Sequence, residues 1–149
     1  MRPDRLIVGE IRGAEAGDFL VALNTGHDGS LGTAHANSVR DMIGRLEMMV
    51  LMGTVLPISV IRRQIASGVE YLIHLARDPE GKRQVEEIAE ICGMEQEEVR
   101  IRTIFCRDSA GKLRRQAEPE RREKLERLYE SRKRQEDKKA ERTGSAGGL

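Results

Sequence analysis

One carboxylate directly follows an apolar run near the start of the chain. Residues 6–8 are Leu-Ile-Val, and a run that is apolar at every position is typical of a fully buried central strand. Glu10 lies at its carboxyl end, where a carboxylate can orient a water molecule for attack on a phosphoryl group beside Mg²⁺. Arg12 is within reach of a phosphate or an adjacent subunit. This is the form of a Walker B strand, although apolar strands that end in an acid are also common without such chemistry.

A second cluster concentrates polar side chains between residues 24 and 38. His27 and His35, two of the three histidines, lie there among glycines, hydroxyls and an amide. Glycines let backbone N–H groups approach a ligand closely, and a neutral imidazole can hydrogen-bond to a phosphate or a water. Two histidines eight residues apart, with no third nitrogen or sulfur ligand nearby, form a poor metal site, so no metal is predicted. The alternative is a polar loop that caps a helix at Ser38.

The elements that must position these residues follow from apolar periodicity and from turn residues. Helices are predicted over residues 14–23, from the N-cap Ser38 to Met52, and from Pro57 to Gly68. Strands are predicted over residues 69–77, 83–92, 99–107 and, after a last hairpin, 112–115. No internal repeat is found. This order predicts an α/β fold that is the latter half of a nucleotide-binding domain, because a central strand this near the start requires further strands beside it.

Composition and charge limit the possible functions further. The 149 residues have room for one domain or a fragment of one, and aromatic residues are 3% with no Trp, which disfavours stacking on nucleic acid. No apolar run approaches a membrane span, no signal peptide is present, and two cysteines indicate a reduced, cytosolic protein. Residues 1–106 carry a net charge of −4 and residues 107–149 carry +5, with 23 charged side chains in those last 43 residues. A globular body followed by a charged, largely helical or disordered tail is predicted.

Three motifs together resemble a known family. They are G-E-I-R-G at residues 9–13, N-T-G-H-D-G-S at residues 24–30 and H-A-N-S at residues 35–38. Over about residues 4–105 the sequence is similar to the C-terminal half of the motor domain of CpaF/TadA-type pilus and secretion ATPases. These belong to the type II/IV secretion ATPase superfamily. The resemblance implies a RecA-like P-loop NTPase fold in cytoplasmic hexamers, which hydrolyse Mg-ATP and drive pilus assembly or secretion through an inner-membrane platform.

The resemblance also assigns roles to residues. Glu10 corresponds to the Walker B catalytic glutamate, and His35 and His27 correspond to the "His box" that senses the γ-phosphate of ATP. Arg12 follows the glutamate in the motif and is a candidate nucleotide contact. The implied cofactors are ATP and Mg²⁺, and the implied partners are full-length homologous subunits and the membrane platform. Arg62 and Gln64 match a further family motif to which no chemical role is given.

One family element is missing from residues 1–149. The phosphate-binding loop G-x-x-x-x-G-K-[ST] does not occur, because Gly81-Lys82 and Gly111-Lys112 lack the first glycine and the final hydroxyl. We therefore expect a partial ATPase domain over residues 1–106, from a truncated or split chain, that is inactive alone. The alternatives are a non-catalytic half-domain that docks on a full-length hexamer and, less favoured, a basic tail that binds RNA or anionic lipid.

Overall fold

Helices occupy the first half of the described chain and an antiparallel sheet the second half. The computed structural model describes residue 3, residues 5–121 and residues 126, 129, 130 and 133. The chain divides into two compact units, Met1–Glu118 and Pro119–Leu149. The elements of the first unit are, in order, β1 (Ile7–Val8), α1 (Glu15–Leu23), β2 (Leu31–Gly32), α2 (Val39–Leu51), α3 (Ile58–Gly68), β3 (Tyr71–Arg77), β4 (Arg83–Glu95), β5 (Glu98–Arg107) and β6 (Leu113–Arg115).

The helix boundaries follow the capping residues of the sequence. The Ser38 hydroxyl accepts the backbone N–H of Asp41 at 3.0 Å, as predicted for the N-cap of α2. Pro57 directly precedes α3, where its fixed φ starts the first turn. Gly53 ends the turn after α2, and a Cβ there would lie 2.8 Å from the Cβ of Ala14. The chain can therefore leave α2 beside the start of α1 only because residue 53 has no side chain.

A single apolar cluster joins the three helices to the sheet. Leu20 of α1, Met49 of α2, Ile61 and Ile65 of α3 and Ile91 of β4 are almost completely buried in it. Their spacing places one face of each helix inward, and Ile91 lies on the face of the sheet that packs against α3. Truncation of one such side chain to alanine typically costs about 2–5 kcal/mol.

The second half of the first unit is a four-stranded antiparallel sheet in the order β3-β4-β5-β6. The predicted strands are confirmed, with β4 and β5 extended to Glu95 and Glu98 around a tight turn. In that turn Gln96 and Glu97 have φ of 46° and 67°, values that glycine and asparagine adopt more readily than these residues. β6 pairs with β5 as the last hairpin predicted.

Of residues 6–8, whose pattern is typical of a buried central strand, Ile7 and Val8 form a short and partly exposed strand in this chain. β1 is two residues long and pairs in parallel with β2. The Ile7 side chain is 78% exposed, because β1 and β2 form a two-stranded sheet of their own. An apolar run shows only that each side chain would gain from burial, whereas burial itself depends on a second layer of structure.

The predicted charged tail lies mostly outside the described residues beyond residue 121. From residue 119 on, the structure describes residues 119–121, 126, 129, 130 and 133. In the described part of the chain, every helix is too short or too polar to cross a bilayer.

Candidate functional site

The parallel pairing of β1 and β2 brings Glu10 and His35 to the same edge. Ile7 pairs with Leu31, and each strand then continues into a loop that carries one of the two side chains. Because the carboxyl ends of parallel strands meet at one edge, residues that follow both strands come together there. The Nε2 atom of His35 lies 3.1 Å from Oε1 of Glu10. Two candidates separated by 25 positions in the sequence are thus direct neighbours.

Hydrogen bonds on both sides of Glu10 fix the backbone that carries it. The backbone N–H of Ile11 donates to the carbonyl of Thr33 at 2.7 Å, beyond the last strand pair. The Thr33 hydroxyl donates to the carbonyl of Gly9. The residues before and after Glu10 are therefore both hydrogen-bonded to Thr33, which fixes the backbone of Glu10 beside the segment that leads to His35.

Gly32 permits this close approach of the two segments. A Cβ at this position would lie 2.9 Å from Cδ1 of Ile11 and 3.0 Å from Cζ of Phe19. A side chain here would force Ile11 and Phe19 to shift, so glycine allows the strand to pass close beside Ile11. The sequence analysis noted this glycine as a possible backbone contact to a ligand, whereas the structure shows that it makes room for side chains of the core.

Arg12 forms the second contact of the Glu10 carboxylate. Its Nη2 atom lies 2.5 Å from Oε2 of Glu10, whose side chain is 28% exposed, while the Arg12 side chain is 75% exposed. The hydrogen bond from Arg12 is the main cause that lowers the pKa of Glu10, and the charges of Arg12 and His35 act in the same direction. The carboxylate is therefore ionised at neutral pH, and it can accept a hydrogen bond or a proton from a water.

Glu15 anchors the loop between Glu10 and α1, a role that the sequence analysis missed. Its carboxylate accepts the backbone N–H groups of Arg12 at 2.6 Å and Gly13 at 3.0 Å, and these bonds lower the pKa of Glu15. Ala14, at the N-cap of α1, offers no side-chain acceptor, and the first N–H groups of the helix, those of Ala16 and Gly17, donate instead to the carbonyls of Gly13 and Ala14. Glu15 satisfies the donors of the loop before the helix. The sequence signal for this role is an acidic residue in the first turn of α1, directly after Gly13 and Ala14.

The structure does not bring His27 to Glu10. Nδ1 of His27 lies 3.1 Å from the carbonyl oxygen of Ala22, at the end of α1. His27 precedes β2 whereas His35 follows it, and Ser30 links this loop to the start of β1 by accepting the backbone N–H of Leu6 at 2.9 Å. The contact of His27 with Ala22 fixes the chain where it leaves α1. The role of His27 toward nucleotide stays a prediction.

Asn24, the first residue of the second motif, joins two helices. Its Nδ2 donates to the carbonyl oxygens of Leu20 at 2.8 Å and Gln64 at 3.0 Å, and its Oδ1 accepts the hydroxyl of Ser67 at 2.6 Å. A Cβ at Gly68 would lie 2.6 Å from this Nδ2. The motif around residue 24 therefore carries the packing of α1 on α3 as well as the loop.

Arg62 holds α2, α3 and the β4–β5 turn together. Its Nε atom donates to Glu47 at 2.7 Å, and its Nη1 atom donates to the Glu98 carboxylate at 2.7 Å and to the Glu97 carbonyl at 3.0 Å. The side chains of Arg62 and Glu47 are 21% and 14% exposed. The hydrogen bond that Arg62 donates to Glu47 raises the pKa of Arg62. The family motif at residue 62 thus has a structural explanation in this chain.

Removal of the Arg12 charge is expected to shift the titration of Glu10. Arg12→Gln keeps a polar side chain but loses the cation, so the Glu10 carboxylate should titrate at a higher pH than in the wild type. Carboxyl NMR of isotopically labelled protein measures this midpoint. Arg40→Gln is the matched control, since Arg40 is exposed on α2, and it should leave the midpoint unchanged. An unchanged midpoint in Arg12→Gln would show that the contact does not persist in solution.

The sequence that builds this fold and its carboxylate–imidazole–guanidinium site matches a known protein family. The family described as "Type II/IV secretion system protein" matches residues 1–145. The chain belongs to this family.

Individual relatives carry related names. A putative conjugal transfer protein of Mycobacterium tuberculosis is 44% identical over 104 residues, which is 70% of this chain and 28% of the relative. The type IV secretion system protein VirB11 of Brucella suis is 38% identical over 78 residues, 50% of this chain and 22% of the relative. The crystal structure of the Brucella suis VirB11 ATPase in complex with sulphate matches with a TM-score of 0.57 at 34% identity, covering 60% of this chain and 28% of that one. The chain thus spans between a fifth and a third of the length of these relatives.

Proposed function

We propose that this chain is the part of a secretion-motor ATPase that supplies the water-activating carboxylate and a γ-phosphate sensor. The observation that carries the proposal is the contact of Glu10 with both His35 and Arg12 at the edge of the β1–β2 pair. Membership of the type II/IV secretion family and the similarity to a VirB11 ATPase support it. The finer assignment to CpaF/TadA-type pilus assembly rests on the resemblance of the sequence motifs.

The chemistry proposed for each residue follows from its surroundings. Glu10, held ionised by Arg12, orients the water that attacks the γ-phosphate. His35 is exposed and reaches the same carboxylate, so it can exchange this contact for one with the terminal phosphate. Arg12 is mostly exposed and has further N–H donors for a phosphate or a neighbouring subunit. His27 is a weaker candidate because its ring contacts the end of α1.

Mg²⁺ fits this site as an ion carried by the substrate. Such an ion commonly takes one or two carboxylates together with the phosphates of the nucleotide, and Glu10 provides a partly exposed carboxylate of this kind. When bound, Mg²⁺ neutralises charge on the phosphates. The residues that would grip those phosphates are not in this sequence, because residues 1–149 contain no G-x-x-x-x-G-K-[ST] loop.

The proposed setting is a RecA-like half-domain within a larger assembly. We infer that it works in a hexamer with full-length homologous subunits, on the cytoplasmic side of the cell membrane beside an inner-membrane platform. Of the charged segment beyond residue 106, the part up to Arg115 completes the sheet, and the remainder is proposed as a tail. Alone, the chain is expected to be inactive, because phosphoryl transfer depends on holding the phosphate as well as on orienting the water.

A chimera tests this proposal. The segment of Brucella suis VirB11 that matches this chain is replaced by the chain, so that the remainder of VirB11 can provide the phosphate-binding loop expected for the family. We expect the chimera to hydrolyse ATP, while the purified 149-residue chain neither hydrolyses ATP nor binds a fluorescent ATP analogue tightly. Phosphate release and fluorescence anisotropy measure the two activities.

Two outcomes would contradict the proposal. Turnover by the isolated chain, lost in Glu10→Gln, would show that the phosphate-binding loop is not needed. A folded chimera that binds nucleotide without hydrolysing it would show that the chain does not supply the catalytic half, and a docking role on full-length subunits would then be favoured. Circular dichroism of the chimera separates this second result from simple misfolding.

A further inference from the structure

The C-terminal half of α2 is apolar on the face that points away from the core as well as on the face that packs into it. The inner face holds four buried side chains of the core, Ile43, Leu46, Met49 and Val50. The outer face holds Met48 and Leu51, and the cap residue Met52 continues it. A helix that is apolar on both faces is typically covered on both, whereas the described part of this chain covers only the inner face.

Exposed apolar side chains concentrate at this end of α2. Met48 is 57% exposed and Met52 is 67% exposed. The linker to α3 adds Val55 and Leu56, and α3 begins with the exposed Ile58. Six of the thirteen exposed large apolar side chains of the described residues thus lie within eleven consecutive positions. Single exposed apolar residues are normal on a protein surface, whereas a group of this kind marks a contact surface.

Gly44 lies on the same outer face, one turn before Met48. Glycine in the middle of a helix is less favourable than every residue except proline. A Cβ at residue 44 would find no heavy atom within 4 Å, so packing within the described chain does not require a glycine there. Because the distance between two packed helices depends on the side chains at their contact, this glycine permits a second helix to approach α2 closely.

Two arginines accompany the outer face of α2. Arg40 and Arg45 are exposed, and their guanidinium groups make no hydrogen bond or ion pair with the described residues. Asp41 is also exposed, in the first turn of α2, where the helix dipole favours an acid. The Glu47 carboxylate lies on another side of the helix and is paired with Arg62. The outer face therefore carries two cations against one anion.

We propose that the outer face of α2, formed by Gly44, Met48, Leu51 and Met52, is a docking surface for an acidic amphipathic helix of a different protein. Apolar side chains of that helix pack on the methionines, whose flexible thioethers adapt to the shape of a partner. Its backbone passes close to Gly44, and its acidic side chains pair with the two arginines. This is the mode in which an amphipathic helix binds an apolar surface through side chains one turn apart.

Two other occupants fit this face less well. A second copy of α2 brings the same excess of positive charge, so the arginines of the two copies repel each other. An anionic membrane surface gains nothing from the missing side chain at Gly44, and it repels the carboxylate of Asp41. The glycine and the charges together therefore favour an acidic helix.

A synthetic peptide tests the proposal on the intact 149-residue chain. The probe is a fluorescently labelled helix of about 18 residues, with leucines at i, i+3, i+4 and i+7 and glutamates beside them. Its control is an isomer of the same composition whose leucines are spread around the helix. Anisotropy titration should show that wild-type protein binds the probe about tenfold or more tightly than the isomer. Binding should weaken at high salt, because salt screens the contacts of the arginines.

Substitutions on the outer face separate docking from folding. Met48→Glu/Met52→Glu should weaken binding of the probe about tenfold or more. Gly44→Gln should also weaken it, because the longer side chain keeps the probe away from the backbone of α2. The same variant should keep or raise the midpoint of thermal unfolding, since glutamine is the better helix former and has open space there. Val21→Glu, at an exposed apolar position of α1, is the matched control and should leave binding unchanged.

Charge reversal tests the acidic character of the partner. Arg40→Glu/Arg45→Glu should bind the glutamate probe about tenfold or more weakly, and it should bind a version with lysines in place of the glutamates more tightly than wild type does. Circular dichroism of each variant confirms that it is folded. An unchanged preference for the glutamate probe would overturn the assignment of an acidic partner.

Three further results would overturn the proposal. The first is a probe that binds no more tightly than its isomer, and the second is Met48→Glu/Met52→Glu protein that is folded and binds like wild type. The third is a lower midpoint of thermal unfolding in Gly44→Gln, which would make the glycine a requirement of the fold. Sedimentation velocity and flotation with vesicles of anionic lipid then identify the occupant: self-association or vesicle binding that Met48→Glu/Met52→Glu abolishes, without binding of the probe, assigns the face to a second copy or to a membrane.

Discussion

Glu10→Gln is expected to lower the ATP turnover of the VirB11 chimera about 100-fold or more, with nucleotide binding nearly unchanged. The amide keeps the size of the side chain but can neither take a proton from water nor pair with the Arg12 cation. Loss of a positioned general base or water-orienting group commonly costs about 10²- to 10⁴-fold in rate. The effect should fall on kcat, because the role proposed for Glu10 is to orient the water rather than to bind the base or sugar of ATP.

The control for this experiment is Glu80→Gln. Glu80 is an exposed glutamate in the β3–β4 turn, so its substitution makes the same chemical change far along the chain from the site. Steady-state phosphate release and titration with a fluorescent ATP analogue separate kcat from binding. If Glu10→Gln retained more than about a tenth of the chimera's rate, the carboxylate would not be the catalytic group.

Arg62→Met is expected to give the largest loss of stability by a single change of charge. The substitution keeps an unbranched apolar stem but removes the guanidinium, which leaves Glu47, 14% exposed, without its ion pair and releases the β4–β5 turn from α3. Breaking a fully buried pair costs about 3–5 kcal/mol, and partial exposure of Arg62 reduces this to about 2 kcal/mol. For a domain of this size the midpoint of thermal unfolding should fall by about 10 °C.

Two further variants show whether the ion pair is the cause. Arg63→Met changes the neighbouring exposed arginine and should alter the free energy of unfolding by less than about 0.5 kcal/mol. The double variant Arg62→Met/Glu47→Gln should recover part of the loss, because the unpaired carboxylate is then neutral. Urea unfolding at pH 7 measures all three. A double variant less stable than Arg62→Met alone would place the cost in packing rather than in charge.

Much of the local structure could be predicted from single residues. Ser38 and Pro57 marked the starts of α2 and α3, and turn residues between the predicted strands marked hairpins, because capping and turn conformations depend on a few neighbouring residues. The three motifs of the N-terminal third identified the family without any structure. The apolar pattern alone could not decide the burial of β1, since the exposure of Ile7 depends on what lies beside the strand.

The sequence by itself determined the composition of the site, namely a carboxylate, an arginine and an imidazole in motifs of a secretion ATPase. Only the tertiary structure decided which of these meet. The parallel register of β1 and β2 brings His35 to Glu10 and leaves His27 at the end of α1. It also revealed the roles of Glu15 and Arg62, whose partners are backbone groups and distant carboxylates. The physical reason is that residue types set which interactions are possible, whereas packing of distant segments sets which atoms come within reach.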